Sequence, residues 1–347
     1  MEYYKRSPFL FSYWNEKNKL IVYNYNRYTK AIISKDIERI LEILPDWASV
    51  EEILNRFEDF DENKIKKALE HLTKLNIIHK KPFAKEDDNI PRRTRWNPVE
   101  LAMQRQMSHV DLYSKSRNRK RPISPIKYVK GLSTVNLPKP QPGGPERKLL
   151  DVLDERQSIR KYDHSFLDLN NLSDFLYKCA RIKTVLNGQI LWGLTLTKRP
   201  YPSGGARYPL EIYPVNNSIP KIEKGIYHYN PLKHKLALVN KNEVYRKKLN
   251  ESVFQQLGTL LNREPDVIFI ITAVFARTMW KYQNIGLSLI MSELGCLYQT
   301  MYLVATEMNL APCPLGGTYE ELVKDWLNLN WFEESQVGTF LLGKKAK

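Results

Sequence analysis

The sequence predicts an α+β layered domain preceded by a small helical unit, and three observations carry that reading. From residue 147 onward, helical apolar patterns alternate with short strand patterns, the mark of a layered α+β domain. Within them VIFIITAV (Val267 to Val274) is apolar at every position but Thr272, as a strand buried on both faces would be. Ahead of them LPKPQPGGPE (Leu137 to Glu146) has the Pro and Gly content of a linker.

In order along the chain, FLFSYW (Phe9 to Trp14) and LIVYNY (Leu20 to Tyr25), separated by Asn15-Glu16-Lys17-Asn18, read as a hairpin. Ser34 caps a helix carrying Ile37, Ile40, Leu41 and Leu44, which Pro45 ends. Ser49 starts a second helix with Ile53, Leu54 and Phe57. A third begins near Asp61 and puts Ile65, Ala68, Leu69, Leu72 and Leu75 on one face. Ile77-Ile78-His79-Lys80 closes the unit, residues 1–80, as a strand. Three helices and then a strand is the winged-helix order, a module that reads DNA or accepts a peptide at a sheet edge. Residues 81–146 read as a basic linker with one helix from Asn97 to Tyr113. In the unit 147–347, helices are expected over 149–156, 170–181, 243–261, 284–308 and 319–328. Strands are expected over 190–197, 211–215, 225–229, 236–240, 267–274 and 337–342.

Composition narrows the class. A chain of 347 residues, 42% hydrophobic and 11% aromatic, is globular and long enough for two units. Three scattered cysteines (Cys179, Cys296, Cys313) argue for a reducing compartment rather than a disulfide framework. Glu2, Lys5 and Arg6 are followed by no signal-like apolar run, and Glu293 and Gln299 interrupt the apolar stretch over 285–305. The expectation is a cytoplasmic chain with no membrane span. The six histidines have no metal-ligand spacing, so no metal site is expected. The net charge of +16 is concentrated in Lys115, Arg117, Arg119, Lys120, Arg121, Lys127 and Lys130, with no acid between Asp111 and Glu146. A solvated linker, an acidic-peptide contact and nucleic acid are all open on charge alone. Asp61, Glu62 and Glu70 make the third helix a poor groove reader, so nucleic acid is not the expected partner.

Four motifs carry chemistry. Lys281-Tyr282 follows the buried strand; an ammonium beside a phenol favours the phenolate, a base able to take a carbon-bound proton. Arg156, Ser158 and Arg160, at i, i+2 and i+4, can converge two guanidiniums and a hydroxyl on a phosphate, or simply form surface pairs. In Tyr201-Pro202-Ser203-Gly204-Gly205-Ala206-Arg207 the bare glycines admit a flat ligand or make a tight turn. Pro312-Cys313-Pro314-Leu315-Gly316-Gly317 reads as a constrained turn. On the long helix, Ser288, Ser292, Gly295 and Gln299 form a small, polar stripe suited to close helix packing or a planar ring. Glu293 on that helix reads as an ordinary satisfied carboxylate.

Taken in order, RQSIR, PSGGARYPLEIYPV, GIYHYNPLKHKLALV, WKYQNIGLSLIMSELGCLYQTMYLVATEMNL, PCPLGG and FLLGKK resemble the nitroreductase-like flavoenzymes over 147–343. Within them the resemblance is to the SagB/ThcOx-type (McbC-like) azoline dehydrogenases. It implies a central mixed sheet flanked by helices, a homodimer, and FMN as cofactor. Arg156 and Ser158 would then hold the phosphate and Arg160 the pyrimidine edge. Ser203, Gly204 and Gly205 would contact the flavin, as would Gln299. Gly316 and Gly317 would lie near N5 and Lys344 or Lys345 near the phosphate, and Lys281 and Tyr282 match the catalytic pair. Cys296 and Thr300 depart from the His and Asn often found there. The implied reaction oxidises thiazoline or oxazoline rings of a ribosomal peptide, with dioxygen as acceptor and a cyclodehydratase as a possible partner. The alternative is an NAD(P)H-dependent reductase of a nitro, quinone or dehydroamino-acid substrate. A DNA-binding protein with a vestigial reductase fold is the third reading.

Overall fold

The computed structural model describes residues 2–27, 29–57, 60–81, 99–100, 102–104, 123–140, 147–186, 195–282, 285–317 and 319–346. The chain divides into two compact units, Met1–Asp111 and Leu112–Lys347.

The first unit contains β1 (Tyr3–Arg6), β2 (Leu10–Trp14), β3 (Leu20–Asn24), β4 (Thr29–Ile32), α1 (Lys35–Glu42), β5 (Ala48–Ser49), α2 (Val50–Asn55), α3 (Glu62–Lys74) and β6 (Ile78–Lys80). The expected hairpin is present as β2 and β3, and β4 extends it into a three-stranded antiparallel sheet. A second sheet has the order β5-β1-β6. Ser34, Ser49 and Asp61 cap the three helices, Ser49 in a reciprocal capping box with Glu52. Ile40, Leu41, Ile53, Ile65, Leu69 and Leu72 bury the apolar stripes in one core. Most of the helix expected over 97–113, the basic run 115–121 and residues 141–146 lie outside the described residues.

The second unit begins with β7 (Ser133–Asn136), inside the stretch read as linker, which pairs with β12 at the edge of the main sheet. There follow α4 (Leu149–Glu155), α5 (Leu169–Ala180), β8 (Thr184–Leu186), β9 (Leu196–Lys198), β10 (Leu210–Asn216), β11 (Gly225–Asn230), β12 (Lys235–Asn240), α6 (Glu243–Leu257), β13 (Val267–Val274), α7 (Ala276–Tyr282), α8 (Gly286–Glu307), β14 (Leu310–Leu315), α9 (Glu320–Leu327) and β15 (Glu334–Lys344). Of the strand expected over 190–197, only the end appears, in β9; residues 187–194 are outside the described set.

The main sheet has seven strands in the order β14-β15-β13-β10-β11-β12-β7. Every ladder among the described residues is antiparallel, which corrects the expected mixed sheet. The reason lies in the chain path. β13 and β14 run the same way, but β15 inserts between them and opposes both. Alternate residues of β13 feed two cores. Val267, Phe269, Ile271 and Ala273 pack with α5 and α8, while Ile268 and Ile270 join Val253 of α6 and Trp326 of α9.

PCPL proves to be strand rather than turn. An edge strand tolerates proline where the missing N–H would point away from the ladder. The Pro312 carbonyl indeed faces outward, accepting from Ile159 N at 2.9 Å. The long α8 is not buried all round. Ile290, Leu294, Leu297, Met301 and Ala305 face the core, while Met291, Ser292, Gly295 and Gln299 are exposed. By length and composition it could cross a membrane, but it packs against α5 and β14 instead.

Candidate active site

Strain first marks the site. Gly205, Ala206 and Tyr208 all have left-handed backbones, at φ of 64°, 54° and 45°. A left-handed tyrosine costs about 1–3 kcal/mol and persists only where surrounding bonds over-determine it. Here they do. Tyr208 N donates to Ser203 Oγ (2.8 Å), Tyr208 Oη donates to the Tyr201 carbonyl (3.2 Å) and accepts from Arg199 N (3.0 Å). The Tyr208 carbonyl in turn accepts from Arg277 Nη1 (2.9 Å).

That last bond ties the turn to α7, whose final residues are Lys281 and Tyr282. Arg207 Nε returns the tie by donating to the Arg277 carbonyl (3.0 Å). Arg277 is itself anchored by Glu211 of β10 (2.7 Å), whose other oxygen meets His228 Nε2 (2.6 Å). Burial alone would raise the Glu211 carboxyl; Arg277 and then His228 outweigh it and hold it at about 2. The outcome is a short helix pinned at a fixed angle to a strained turn. A Cβ on Gly205 would sit 2.7 Å from Tyr282 Oη, so the phenol rests where only glycine leaves room. Lys281 Nζ lies 5.1 Å from the centroid of the Tyr282 ring, over its face. The sequence placed this pair between strand and helix without seeing that it ends a helix of its own.

Ser203 has both its roles filled inside the chain, since it also donates to Glu293 Oε2 at 2.6 Å. Gly204 faces Leu289 of α8 across ordinary van der Waals distance.

The arginine motif forms a second cluster. After α4, residues 159–163 run extended beside β14 and the end of β15. Asp163 N donates to the Lys344 carbonyl (2.9 Å), and Tyr162 bridges Lys345. The Arg156 guanidinium stacks 5.1 Å from the Tyr302 ring, and the Ser158 hydroxyl bonds that same tyrosine's hydroxyl. Arg160 lies beside Cys313, whose thiol burial pushes up and Arg160 pulls partly back. Arg160 Nε is buried with no hydrogen-bond partner among the described residues. The Lys344 side chain is exposed, while its backbone N donates to Asp266 Oδ2 (3.0 Å).

Helix α8 spans both clusters. Leu289 and Glu293 touch the strained turn, and Tyr302, nine residues on from Glu293, touches Arg156 and Ser158. That is roughly 14 Å along the axis. Between them Tyr298 Oη accepts from Thr339 N (2.8 Å) and donates to its carbonyl (3.1 Å), in space that a side chain on Gly338 would occupy. Thr339 Oγ1 reaches the Gly317 carbonyl at 3.3 Å, so β15 fixes the Gly316-Gly317 step. Gln299 is exposed on the outer stripe, away from the core face of the helix. No group of three or more metal-ligating side chains exists among the described residues.

Sequence reasoning missed Arg277 and Glu211, whose pairing needed the register of β10, and took Glu293 for an ordinary satisfied carboxylate.

Three relatives match parts of this chain. A protein named as a nitroreductase from Methanocaldococcus jannaschii is 30% identical over 186 residues, 53% of this chain and 86% of that protein. The microcin B17-processing protein McbC of Escherichia coli is 30% identical over 140 residues, 38% of this chain and 49% of McbC. The trifolitoxin-processing protein TfxB of Rhizobium leguminosarum bv. trifolii is 31% identical over 147 residues, 42% of this chain and 39% of TfxB. The match thus spans half or less of either processing protein. The nitroreductase family model covers residues 153–344, from the last turn of α4 to the end of β15, and so contains both clusters. Over more than half its length, then, the chain belongs to the nitroreductase family, in the company of McbC-like peptide-processing proteins.

Proposed function

We propose that this protein is an FMN-dependent dehydrogenase that oxidises thiazoline or oxazoline rings of a ribosomally made peptide to the aromatic azoles. The observation that carries the reading is Tyr282 Oη held against Gly205 with the Lys281 ammonium over its ring. The similarity to two toxin-processing proteins supports a peptide substrate.

The residues present fit FMN. An unpaired buried Arg160 Nε, with Arg156 and Ser158 beside it, suits a phosphate and the polar groups near it. The bare Gly204-Gly205 and Gly316-Gly317 steps suit a flat ring, and Lys344 adds positive charge. Bound FMN would supply the two-electron acceptor, with dioxygen, leaving as peroxide, the final destination of the electrons. The rest is the chain's own work. Tyr282 accepts the proton that leaves the azoline carbon, Lys281 supplies positive charge beside that phenol, and Arg277 with Glu211 holds both at the strained turn.

The same reading includes a homodimer, supported by exposed Leu149 and Leu150 (66% and 67%) on α4 and by exposed Met291, Ser292 and Gly295 on α8. It also includes a cytoplasmic setting, a winged-helix-like first unit that holds the peptide, and a cyclodehydratase that makes the azoline.

Mass spectrometry of an azoline peptide incubated with the protein tests the proposal: each ring should lose about 2 Da, the mass of hydride plus proton. An unchanged peptide mass with FMN bound would sink it. A reductase taking hydride from NAD(P)H is the second reading, favoured by the 86% coverage of the archaeal nitroreductase-named protein. Rapid bleaching of the bound flavin by NADPH without peptide would select it.

A further inference from the structure

Glu293 has no place in the chemistry above, yet its surroundings are unusual. It is 5% exposed, and Oε1 has no hydrogen-bond partner among the described residues. Buried carboxylates are ordinarily paired with a cation. Of the two guanidiniums that act on it, Arg199 donates through Nη2 to the Pro125 carbonyl (2.7 Å) and Arg277 pairs through Nη1 with Glu211, while the buried Nε of each has no partner among the described residues. Tyr201, whose phenol feels the Glu293 charge, has its own buried Oη unpartnered among the described residues. Burial pushes the Glu293 carboxyl up to about 7, against smaller opposite pulls from Ser203, Arg199, Arg277 and the Gly204 backbone N–H.

The bond to Ser203 leads out of this pocket. A serine hydroxyl has one hydrogen, and Ser203 Oγ already accepts from Tyr208 N. Its hydrogen goes to Glu293 Oε2. Glu293 thus fixes the rotor of the residue that opens the left-handed turn, and that turn carries the glycine beneath Tyr282 Oη.

We infer that Glu293 is a positioning residue of the candidate site: it locks the Ser203–Tyr208 turn under Tyr282, and it does so as an acid that exchanges a proton rather than as a fixed anion. The positioning half rests on the proposed role of Tyr282; the proton exchange does not.

Melting of the full-length protein without added flavin, followed from pH 5 to 8.5 in wild type and Glu293→Gln, tests the exchange. A carboxyl whose folded pKa lies above its unfolded value gives stability that is complete below the unfolded value and lost as pH rises through the folded one. The wild type should therefore lose melting temperature relative to Glu293→Gln as pH climbs from about 5 through about 7. Parallel curves would overturn the exchange. For positioning, Glu293→Leu should lower azoline-oxidation kcat at least about tenfold, with peptide KM and FMN content unchanged. Glu293→Gln keeps an acceptor for Ser203 and should recover most of that kcat, without the inflection near neutral pH. Full kcat in Glu293→Leu would overturn positioning. If even the wild type oxidises no azoline, the proposed function falls, while the melting comparison still decides the proton exchange.

Discussion

The two clusters at either end of α8 are built on opposite principles. At the Ser203–Tyr208 turn the backbone and side chains of the turn are tied to their neighbours: Ser203 to Glu293 and Tyr208, Arg207 to Arg277, Arg277 to Tyr208 and Glu211, with Glu293 Oε1, Tyr201 Oη and Arg277 Nε the buried atoms around it that lack a partner among the described residues. At the Arg156–Arg160 segment the donors are largely unspent. The Arg156 guanidinium stacks on Tyr302, Arg160 Nε has no partner among the described residues, and the Lys344 side chain faces solvent. One end is rigid before anything binds; the other has its donors waiting for an anion. Preorganisation belongs where a proton must move, because a misplaced base loses rate steeply. A phosphate is forgiving, since charge attracts it over several ångströms.

Substitutions can break this contrast, the largest effects falling at the rigid end. Tyr282→Phe removes the proton acceptor and should cut azoline oxidation roughly a thousandfold while FMN stays bound, measured by turnover and flavin content. Next comes Glu211, held at about 2 against an ordinary 4.5. Its lowered value means stability that is present above 4.5 and lost as pH falls toward about 2. Glu211→Gln should lose about 3 kcal/mol near neutrality, read by denaturant unfolding, and show a flatter acid limb than wild type. Gly205→Ala, with φ of 64° and a Cβ meeting Tyr282 Oη, should cost about 2 kcal/mol and disturb turnover together with stability.

At the open end the pattern should reverse. Arg160→Ala should weaken FMN binding by about 2 kcal/mol in a fluorescence titration and leave the flavin-free melting temperature unchanged. Lys344→Ala should weaken it by less than about 1 kcal/mol, because its exposed ammonium is screened by solvent. A large drop in flavin-free stability for Arg160→Ala would erase the distinction between the ends.

How much of this was legible beforehand follows from the range of each interaction. VIFIITAV is a strand over the stretch read from the sequence, since a strand covered on both faces is almost wholly apolar and its one polar residue, Thr272, is satisfied by Glu334. The helix caps at Ser34, Ser49 and Asp61 were legible because capping is local. PCPL was misread, because proline is forbidden in a central strand and harmless at an edge, and edge position is a property of the whole sheet. Lys281-Tyr282 was visible as a dipeptide, whereas its support (Arg277, Glu211 and the left-handed Tyr208) depends on contacts some seventy residues apart. Gln299 matched a motif but is exposed in the single chain. Glu293 looked bland because an isolated acid on an apolar helix reveals nothing of what covers it.

The placement of β15 has a consequence for biosynthesis. It is made after both β13 and β14, yet it is the wedge that joins them. Until it emerges from the ribosome, two long apolar strands hold their bonding edges open, the condition that invites pairing with other nascent chains. Expression of a fragment stopped before Glu334 should accordingly yield inclusion bodies, and co-expressing the missing ribbon should return some of it to solution.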